Sequence, residues 1–405
     1  MKIVHIAPFS PFPTHFGGAM RTEALWRALA SAGKVQFVVL GDKPSLEARR
    51  QLRAEGAWVY PSRRETKRQR FIRCVRAGLA RRCIPAARYL NPKRIDKLAE
   101  KIQGWGPDVI VVDDTYLSVL IPALMSPNVC IVAHCHNVES QVHRRVAAHN
   151  RALMGRLVNY VLYRNTLGVE RRYQHLADQV WTVSEDDADY CRRRLRLKSV
   201  FAIPCCLDLD RYQATDEQEA GAIVYTGFFG YWPNEDAAVR LIALSRQLRA
   251  EGTPHRLYLV GRDPTDRMLA AAAGVKDVCV TGEVPDVRPY LAKAAVVAVP
   301  LAAGGGTKLK VLEAMAMGRA IVTSPIGAEG LDIVSGVHAE ILPPSEFSEA
   351  ITRLLRDGSH RRALGEAARQ WVQQHRDMPV MQRRVRELLA NLLSGDRPAI
   401  ASGSG

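Results

Sequence analysis

GGGTKLKVLEAMAMG, residues 304–318, joins a glycine loop to a helical pattern that carries two lysines and one acid. The run before it, residues 294–300, is continuously apolar and rich in valine, which is typical of a strand buried on both faces of a parallel sheet. Leucine and alanine recur behind the loop at helical spacing, so the free N–H groups of a new helix point back into the loop. The stretch therefore predicts a strand, loop and helix that bind phosphate.

Three charged side chains narrow this prediction. Lys308 and Lys310 add positive charge beside the helix N-terminus. Glu313, about one and a half turns into the helix, is a poor phosphate ligand but a good acceptor for hydroxyls, as an acidic residue is for ribose in dinucleotide folds. The arrangement favours a nucleoside diphosphate over bare phosphate. This segment alone leaves open a glycine-rich turn with surface lysines, because such loops are frequent without a ligand.

Residues 304–330 also resemble the donor-site signature of glycosyltransferase family 4, whose members are retaining enzymes of the GT-B fold. The resemblance implies that Glu313 binds the donor ribose. Lys308 is the expected catalytic residue, because its charge can stabilise the departing diphosphate. The family commonly has another glutamate eight residues earlier, where this chain has Gly305, so the chain resembles a branch in which loop amides replace that carboxylate. The donor-binding residues implied here are Gly304, Gly305, Gly306, Thr307 and Glu313.

Residues 225–234 stand where the family commonly has a glycine loop with an arginine and a lysine. Both cations are absent here, so phosphate neutralisation is expected to rest on Lys308. Arg262, which follows the predicted strand 256–260, is expected to help. Gly227 is expected to let the backbone pass close to the donor. Asn234 is expected to be the N-cap of the next helix, because two acids follow it as in a first helical turn.

Two segments of the first half resemble the family's acceptor side. Residues 11–18 resemble its first glycine loop, whose amides lie near the donor phosphates and the acceptor; a tight turn before a helix is the alternative. Residues 133–140 resemble the segment that presents a histidine to the transferred sugar. His136 is the preferred catalytic match and His134 the second, since the spacing does not decide between them. The acceptor-side residues implied are Gly17, Gly18, His134, Asn137 and Glu139.

Strand patterns alternate with helix patterns along both halves, which predicts an α/β protein with parallel strands and right-handed crossovers. The predicted strands are residues 2–8, 35–40, 109–113, 129–134, 179–183, 200–204, 222–226, 256–260, 278–281, 296–300 and 320–323. The predicted helices include residues 22–32, 93–103, 235–250, 285–294, 348–356, 361–375 and 380–393. The family resemblance implies the GT-B arrangement, in which two Rossmann-like domains with parallel sheets face each other across a cleft.

Domain boundaries follow from these patterns, since 405 residues exceed one typical core. Residues 1–206 form a predicted N-terminal, Rossmann-like domain on the acceptor side, and the polar residues 207–220 form a linker. Residues 221–375 form a predicted C-terminal, Rossmann-like domain that binds the nucleotide sugar. The resemblance implies that a closing helix, residues 376–394, returns to the N-terminal domain, and the tail 395–405 is expected to be disordered.

The charge of the chain lies in its first half. Residues 1–205 carry 34 basic and 17 acidic side chains, a net charge of +17, while residues 206–405 carry 23 and 24, a net charge of −1. Residues 63–97 combine many arginines with an apolar stripe at helical spacing, which indicates either a basic amphipathic helix on an anionic membrane surface or a core-facing helix with a solvated basic side. Nucleic acid is not an expected partner, because aromatics are sparse and no recognition motif accompanies the charge.

The composition excludes several classes. No run of about 18 uncharged apolar residues occurs, and the N-terminal apolar run is too short for a signal peptide. A cytoplasmic protein is therefore expected, peripheral at the inner face of the plasma membrane if the basic segment binds lipid. The eight cysteines lack the paired spacing of a metal site and are expected to be reduced core residues. No metal and no further cofactor is expected.

Together these features predict metal-independent transfer of a sugar from a nucleoside diphosphate sugar to a hydroxyl of a glycan or lipid-linked acceptor, in polysaccharide or glycolipid synthesis. The family resemblance implies that the anomeric configuration is retained. Three alternatives stay open at this point. They are another GT-B nucleotide-sugar enzyme such as an epimerase, a non-catalytic nucleotide-sugar-binding protein, and a peripheral membrane scaffold. Analysis of the product distinguishes a transferase from an epimerase. Turnover of the donor excludes a non-catalytic binding protein, and nucleotide binding excludes a membrane scaffold.

Overall fold

The computed structural model describes residues 1–12, 17–41, 44–61, 92–149, 153–215 and 218–395, together with positions 66, 69, 72 and 76. The chain divides into two compact units. The first comprises residues 1–14, 18–204 and 381–405, and the second comprises residues 15–17 and 205–380. Each unit contains one sheet whose described strands are all parallel, as the alternation of strand and helix patterns predicts.

The first unit contains a seven-stranded sheet in the order β3-β2-β1-β4-β5-β6-β7. Its strands are β1 (Lys2–Ala7), β2 (Lys34–Gly41), β3 (Trp58–Pro61), β4 (Val109–Asp113), β5 (Cys130–His134), β6 (Gln179–Thr182) and β7 (Val200–Ala202). Every residue of β4 and β5 is buried. Burial on both faces explains why these strands are unbroken apolar runs in the sequence.

Helices cover both faces of this sheet. They are α1 (Gly17–Ala30), α2 (Leu46–Ala54), α3 (Pro92–Trp105), α4 (Ile121–Leu124), α5 (Glu139–His149), α6 (Leu153–Tyr173) and α7 (Glu185–Tyr190). Successive side chains of a strand point to opposite faces of the sheet. The unit accordingly has two separate apolar clusters, one containing Ile6 and Val112 and the other Phe37 and Leu52. The first unit is therefore a doubly wound α/β layer structure.

The second unit contains a six-stranded sheet in the order β10-β9-β8-β11-β12-β13. Its strands are β8 (Ala222–Thr226), β9 (Arg256–Val260), β10 (Val278–Gly282), β11 (Val296–Val299), β12 (Ala320–Thr323) and β13 (Glu340–Ile341). Its helices are α8 (Trp232–Ala250), α9 (Asp266–Ala272), α10 (Arg288–Lys293), α11 (Leu309–Ala316), α12 (Pro325–Ala328), α13 (Phe347–Arg356) and α14 (Gly358–His375). The strands β8, β9 and β11 are neighbours, so the loops after them meet at one edge of the sheet.

The last helix, α15 (Met378–Ser394), carries the chain back, since residues 381–394 belong to the first unit. Within that unit Val385, Leu388 and Leu389 are buried, and the side-chain amide of Gln179 in β6 donates to the Leu388 carbonyl at 3.5 Å. Across the described helices, none is both long and apolar enough to cross a membrane.

Each strand predicted from the sequence is present, and four of them have the predicted bounds: β4, β8, β9 and β12. The sequence patterns missed β3 and β13, which are the edge strands at one end of each sheet. Trp58 to Tyr60 are only partly buried, and β13 has two residues, so neither strand produces a buried apolar run. Most of the basic segment 63–97 lies outside the described residues, which resume as helix α3.

Candidate functional site

The loop after β11 and the helix α11 form the predicted phosphate site. Gly304 and Gly306 have φ values of +148° and +59°, in the left-handed region that glycine tolerates without strain. Helix α11 begins at Leu309, after Lys308 at the N-cap position. A lysine side chain cannot accept a hydrogen bond, so it does not cap the first-turn N–H groups. The N-terminus of α11 therefore presents backbone N–H donors to the loop, together with the positive end of the helix dipole.

Lys308 is buried, and its charge is held at this loop. Its Nζ donates to the Gly306 carbonyl at 2.6 Å and lies 3.7 Å from Oε2 of Glu329, while 8% of the residue is exposed. The ammonium group therefore remains beside the helix N-terminus, where an anion is most strongly attracted. The hydroxyl of the neighbouring Thr307 donates to the Gly330 carbonyl at 3.4 Å.

Glu313 is the buried acid of α11. Its Oε1 accepts a hydrogen bond from the hydroxyl of Tyr212 at 3.1 Å. Burial raises the pKa of Glu313 to about 7, although the Tyr212 hydrogen bond and the charge of Lys310 oppose that rise. An ionised carboxylate has about four acceptor positions, so Glu313 can accept further hydroxyls while Tyr212 stays bound.

Lys310 points to a different place from Lys308, because side chains two residues apart do not share a helix face. Its Nζ donates to the Tyr225 hydroxyl and to Oδ1 of Asn234, each at 2.8 Å, and lies 4.1 Å from the centre of the Tyr225 ring. A Cβ atom added to Gly227 would lie 3.1 Å from this ammonium group. Burial lowers the pKa of Lys310 to about 7.

Sequence reasoning placed Lys310 beside the N-terminus of α11 but did not connect it to the loop 225–234. The loop 225–234 lacks the family's two cations, and α11 supplies one to that same loop. The available signal was the combination of a missing charge after β8 and a second lysine on α11, since β8 and β11 are adjacent.

The predicted N-cap role of Asn234 is wrong. Helix α8 begins at Trp232 with Tyr231 at the N-cap, and Pro233 occupies its first turn. The Asn234 side chain instead donates to the Phe228 carbonyl at 2.9 Å and accepts from Tyr225 and Lys310. Asn234 is therefore a support for the glycine loop and its cation rather than a helix cap.

Gly227 and Arg262 lie at the same edge of the sheet, after β8 and β9. The Gly227 N–H donates to the Val260 carbonyl at 2.9 Å, and the Gly227 carbonyl would be 1.7 Å from a Cβ atom on Gly261, so this close approach requires glycine at position 261. The guanidinium of Arg262 lies over the Phe228 ring at 4.6 Å. The structure thus brings Gly227, Arg262, Lys310 and the 304–308 loop to neighbouring strand ends.

A second cluster surrounds Asp113, at the carboxyl end of β4 in the first unit. Its Oδ1 accepts from Nδ1 of His134 at 2.6 Å and from Nε2 of His136 at 2.7 Å. Its Oδ2 accepts from the Thr22 hydroxyl at 2.8 Å and from Nε2 of His5 at 3.2 Å. All five residues are buried. Because an ionised carboxylate only accepts, each contacting ring nitrogen carries a proton.

The charges in this cluster are coupled. Burial alone would raise the pKa of Asp113, but the charge of His136 and the hydrogen bonds from the histidines hold it well below its usual range. Burial alone would lower the pKa of His136, yet the charge and hydrogen bond of Asp113 raise it, while burial prevails at His134 and lowers its pKa. Asp113 therefore favours the charged form of His136, whereas burial favours the neutral form of His134.

Sequence reasoning found both histidines but missed Asp113, His5 and Thr22. The signal was available: Asp113 ends one predicted strand and His134 ends another, and the carboxyl ends of neighbouring parallel strands meet at one edge. Thr22 lies in α1, which Gly17 and Gly18 open, so those two glycines lead into the helix that supports the cluster. Residues 13–16 of the predicted glycine loop lie outside the described residues.

Asn137 and Glu139 follow the histidines and bind each other. The Asn137 side-chain amide donates to Oε1 of Glu139 at 2.8 Å, and the Tyr116 hydroxyl donates to Oε2 at 3.1 Å. Arg21 of α1 donates to the His136 carbonyl at 2.9 Å. The segment that carries His136 is therefore fixed from both sides by side chains of the first unit.

The atoms that Asp113, His134 and His136 offer lie within 4.8 Å of one another, a set of ligand types that could hold a divalent cation. The two contacts to Oδ1, at 2.6 and 2.7 Å, have the lengths of charge-assisted hydrogen bonds. In the observed arrangement the ring nitrogens donate to Asp113, as a hydrogen-bonded cluster requires.

Comparison with known proteins agrees with the geometry of both units. Residues 17–211 match the sequence profile described as Glycosyltransferase Family 4, and residues 220–357 match the profile described as Glycosyl transferases group 1. No curated protein matches the chain significantly in sequence. The chain belongs to the group 1, family 4 glycosyltransferases, and its activity is glycosyl transfer.

Solved structures similar to this chain extend over nearly its whole length and confirm the GT-B fold. A sucrose-phosphate synthase from Thermosynechococcus elongatus has a TM-score of 0.73 at 18% identity and covers 98% of this chain and 100% of its own. A glycosyltransferase from Rickettsia africae has a TM-score of 0.68 at 13% identity, covering 98% and 99%. HepE from Anabaena, solved in complex with UDP, has a TM-score of 0.67 at 14% identity, covering 96% and 100%.

Proposed function

We propose that the second unit binds a nucleoside diphosphate sugar at the carboxyl edge of its sheet and that the enzyme transfers the sugar to an acceptor hydroxyl with retention of configuration. The observation that carries this proposal is the grouping on α11: Lys308 and the helix N-terminus suit a diphosphate, and Glu313 suits the hydroxyls of a ribose. Bare phosphate would leave the buried carboxylate of Glu313 without a ligand of suitable chemistry.

The proposed catalytic role of Lys308 follows from where charge develops. When the anomeric C–O bond breaks, the diphosphate oxygen gains negative charge and the sugar gains oxocarbenium character. Lys308, the amides of Gly305 to Thr307 and the dipole of α11 stabilise that oxygen more strongly after the bond has broken. In the free protein Glu329 neutralises Lys308 at 3.7 Å, so the donor diphosphate replaces one anion by another.

Lys310 and Arg262 are the proposed supplementary cations at the donor diphosphate, and Gly227 provides the close backbone approach. A bound diphosphate would favour the charged form of Lys310, whose burial otherwise favours the neutral form. Loop residues Gly304 and Thr307 complete the donor site. HepE, a structural relative, was solved with UDP and also with UDP-glucose, so uridine diphosphate sugars are the first donors to test.

His136 is the proposed catalytic group of the first unit, donating a hydrogen bond to the transferred sugar. Asp113 is a positioning residue, since its carboxylate holds Nε2 of His136 and raises its pKa. His134, Asn137 and Glu139 fix the same segment and form the proposed acceptor side with Gly17 and Gly18. Retention of configuration and independence from a metal follow the family resemblance and are proposals for this chain.

The acceptor is proposed to be a glycan or lipid-linked hydroxyl, used in polysaccharide or glycolipid synthesis in the cytoplasm. An anionic membrane surface is the proposed partner of the basic residues 63–97, most of which lie outside the described residues. Where described, the side chains of Gln69, Ile72 and Arg76 in that segment are exposed, as contact with a lipid surface requires.

Turnover of a panel of nucleoside diphosphate sugars by Lys308→Ala tests this function. Turnover should fall about a hundredfold, the scale of about 3 kcal/mol for a lost charge-stabilising contact. Lys276→Ala, which removes an exposed lysine of the same unit, is the matched control and should keep full turnover. The product's anomeric configuration by NMR tests retention, and dialysis against EDTA tests metal independence. Wild-type turnover in a folded Lys308→Ala variant would reject the catalytic role of Lys308. Donor binding by the wild-type chain without turnover of any donor would indicate a binding protein.

A further inference from the structure

The first two turns of α6 expose an unusual amount of apolar surface. Leu153, Met154, Leu157, Val158, Tyr160 and Val161 are between 48% and 81% exposed. Among the described residues fifteen large apolar side chains are exposed, and six of them fall within these nine consecutive positions. Single exposed apolar residues are ordinary on a protein surface, but a contiguous group marks an interaction site.

These six side chains lie on one side of the helix. Their spacing is that of neighbouring positions on adjacent turns, so they form a single stripe that we name the α6 face. The other end of α6 is anchored in the first unit, where Thr166, Val169 and Glu170 are buried and Val169 packs with Tyr116. The α6 face therefore belongs to a helix that is fixed at one end and presents its first turns outward.

Helix α6, which carries the α6 face, and its neighbour α5 have a net positive charge. Helices α5 and α6 pack together, and residues 139–173 contain seven arginines and two acids. Both acids are engaged inside the unit: Glu139 accepts from Tyr116 and Asn137, and the buried Glu170 accepts from the Ser140 N–H at 3.1 Å. The arginines with exposed side chains are Arg144, Arg156, Arg164, Arg171 and Arg172.

An exposed apolar stripe on a helix pair with a net positive charge matches an anionic lipid surface. Apolar side chains of an interfacial helix enter the boundary between headgroups and acyl chains, while arginines bind the anionic headgroups. Arginine stems can lie along the apolar stripe with their charge in the headgroup layer. Tyr160 and the neighbouring Tyr163, whose rings are 6.1 Å apart, have the apolar body and polar tip that suit this boundary.

We infer that the α6 face is a membrane-docking surface that inserts into the headgroup layer of an anionic leaflet. This inference rests on the membrane partner in the proposed function, but it assigns the contact to a described helix outside residues 63–97 and does not depend on which sugar is moved. Docking by α6 would bring the first unit, with its Asp113 cluster, to the surface where a lipid-linked acceptor lies.

Vesicle co-sedimentation with the full chain tests the inference. The probe is vesicles of phosphatidylglycerol and phosphatidylcholine in equal parts, with pure phosphatidylcholine vesicles for comparison. Leu153→Ser, Leu157→Ser and Val161→Ser in one variant should lower partitioning into the anionic vesicles about tenfold or more. Leu269→Ser, Val334→Ser and Val337→Ser in a second variant are the matched control, since these exposed apolar residues belong to the second unit. The control should bind as the wild type does, and added salt should weaken wild-type binding.

Three results would overturn the inference. Wild-type partitioning of the α6 variant is the first. A melting temperature of the α6 variant, measured without vesicles, that falls further than the weaker helix propensity of serine explains would mean that the chain itself covers the face. A wild-type dimer that becomes monomeric in the α6 variant, without vesicle binding, would mean that a second copy does. A variant with Arg70, Arg73, Arg76 and Arg81 replaced by serine separates the two proposals: if it alone loses binding, the basic segment is the membrane contact and the α6 inference fails. Donor turnover without vesicles reports on the transferase separately.

Discussion

One carboxylate organises the charged cluster of the first unit. The carboxylate of Asp113 accepts hydrogen bonds from three imidazoles and a hydroxyl. A buried anion of this kind is stable only when its hydrogen bonds and a nearby cation compensate its desolvation. The raised pKa of His136 and the lowered pKa of Asp113 are two expressions of that compensation.

Replacement of Asp113 by asparagine should move the pH dependence of turnover. The negative charge that raises the pKa of His136 would be lost, so burial would lower that pKa and His136 would lose its proton at a lower pH. Activity that requires charged His136 should fall about tenfold or more at neutral pH and recover partly in acid. A pH profile of kcat for Asp113→Asn, with nucleotide affinity measured in parallel, checks this. An unshifted profile would separate Asp113 from the protonation of His136.

Donor affinity should pass through a maximum near neutral pH. Lys310 has a pKa lowered to about 7, so above that pH a bound diphosphate must draw a proton to it, and affinity should fall up to about tenfold per pH unit. Glu313 has a pKa raised to about 7, so below that pH it is protonated and accepts fewer ribose hydroxyls. Calorimetry of nucleoside diphosphate binding across pH is the measurement. Lys310→Met should abolish the loss of donor affinity on the alkaline side of the maximum. Glu313→Gln should abolish the loss of affinity on the acid side. Persistence of either fall in its own variant would reject that assignment.

Packing between elements explains why two helical glycines should respond oppositely to the same change. A Cβ atom on Gly365 of α14 would lie 2.2 Å from the Gly318 carbonyl, which belongs to the turn after α11. A Cβ atom on Gly168 of α6 would meet no described atom within 4 Å. The first position is therefore a contact between elements, and the second is only a flexible residue in a helix.

Gly365→Ala should destabilise the second unit, and Gly168→Ala should stabilise the first. Alanine favours a helix over glycine by about 0.5–1 kcal/mol, which should appear at position 168. At position 365 the backbone of Gly318 must move, and overpacking should cost about 1–3 kcal/mol despite the better helix propensity. Denaturant unfolding of both variants measures the difference. Equal signs of the two changes would contradict the close packing of α14 on the Gly318 turn.

The elements could be predicted from the sequence where burial leaves an apolar run. Strands such as β4 and β8 have the predicted bounds because parallel strands covered on both faces contain few polar residues. The edge strands β3 and β13 are partly exposed or very short, so their sequence differs little from a loop. Asn234 does not cap α8, and its side chain instead accepts from Lys310, a contact 76 positions away that no local pattern reveals.

The proposed donor site was predictable in part for a similar reason. Lys308 and Glu313 belong to one contiguous motif, so their proximity follows from the helix alone. Lys310 belongs to the same motif, but its direction depends on Tyr225, a residue of another strand. Asp113 and His5 come from separate strands of the first unit, and their meeting with His136 depends on the order of strands in the sheet.

The whole chain combines a strongly basic first half with a nearly neutral second half, and α15 completes the basic unit. Leu388 is 2% exposed in that unit, whereas Leu393 on the same helix is 47% exposed. Leu388→Ala should therefore destabilise the first unit by about 2–5 kcal/mol through the cavity it leaves. Leu393→Ala, the matched control, should change stability by less than about 0.5 kcal/mol. Thermal unfolding measures both, and equal effects would mean that α15 does not complete the first unit's core.

The return of α15 also decides when each unit can fold during synthesis. Residues 205–380 are complete in themselves once they leave the ribosome, whereas the first unit still lacks residues 381–394 at that moment. Domains commonly fold in the order in which they are translated. In this chain the unit that is begun first must wait for the last helix to emerge, so a stop codon near residue 380 would spare the second unit and leave the first one unfinished, open to chaperones and proteases.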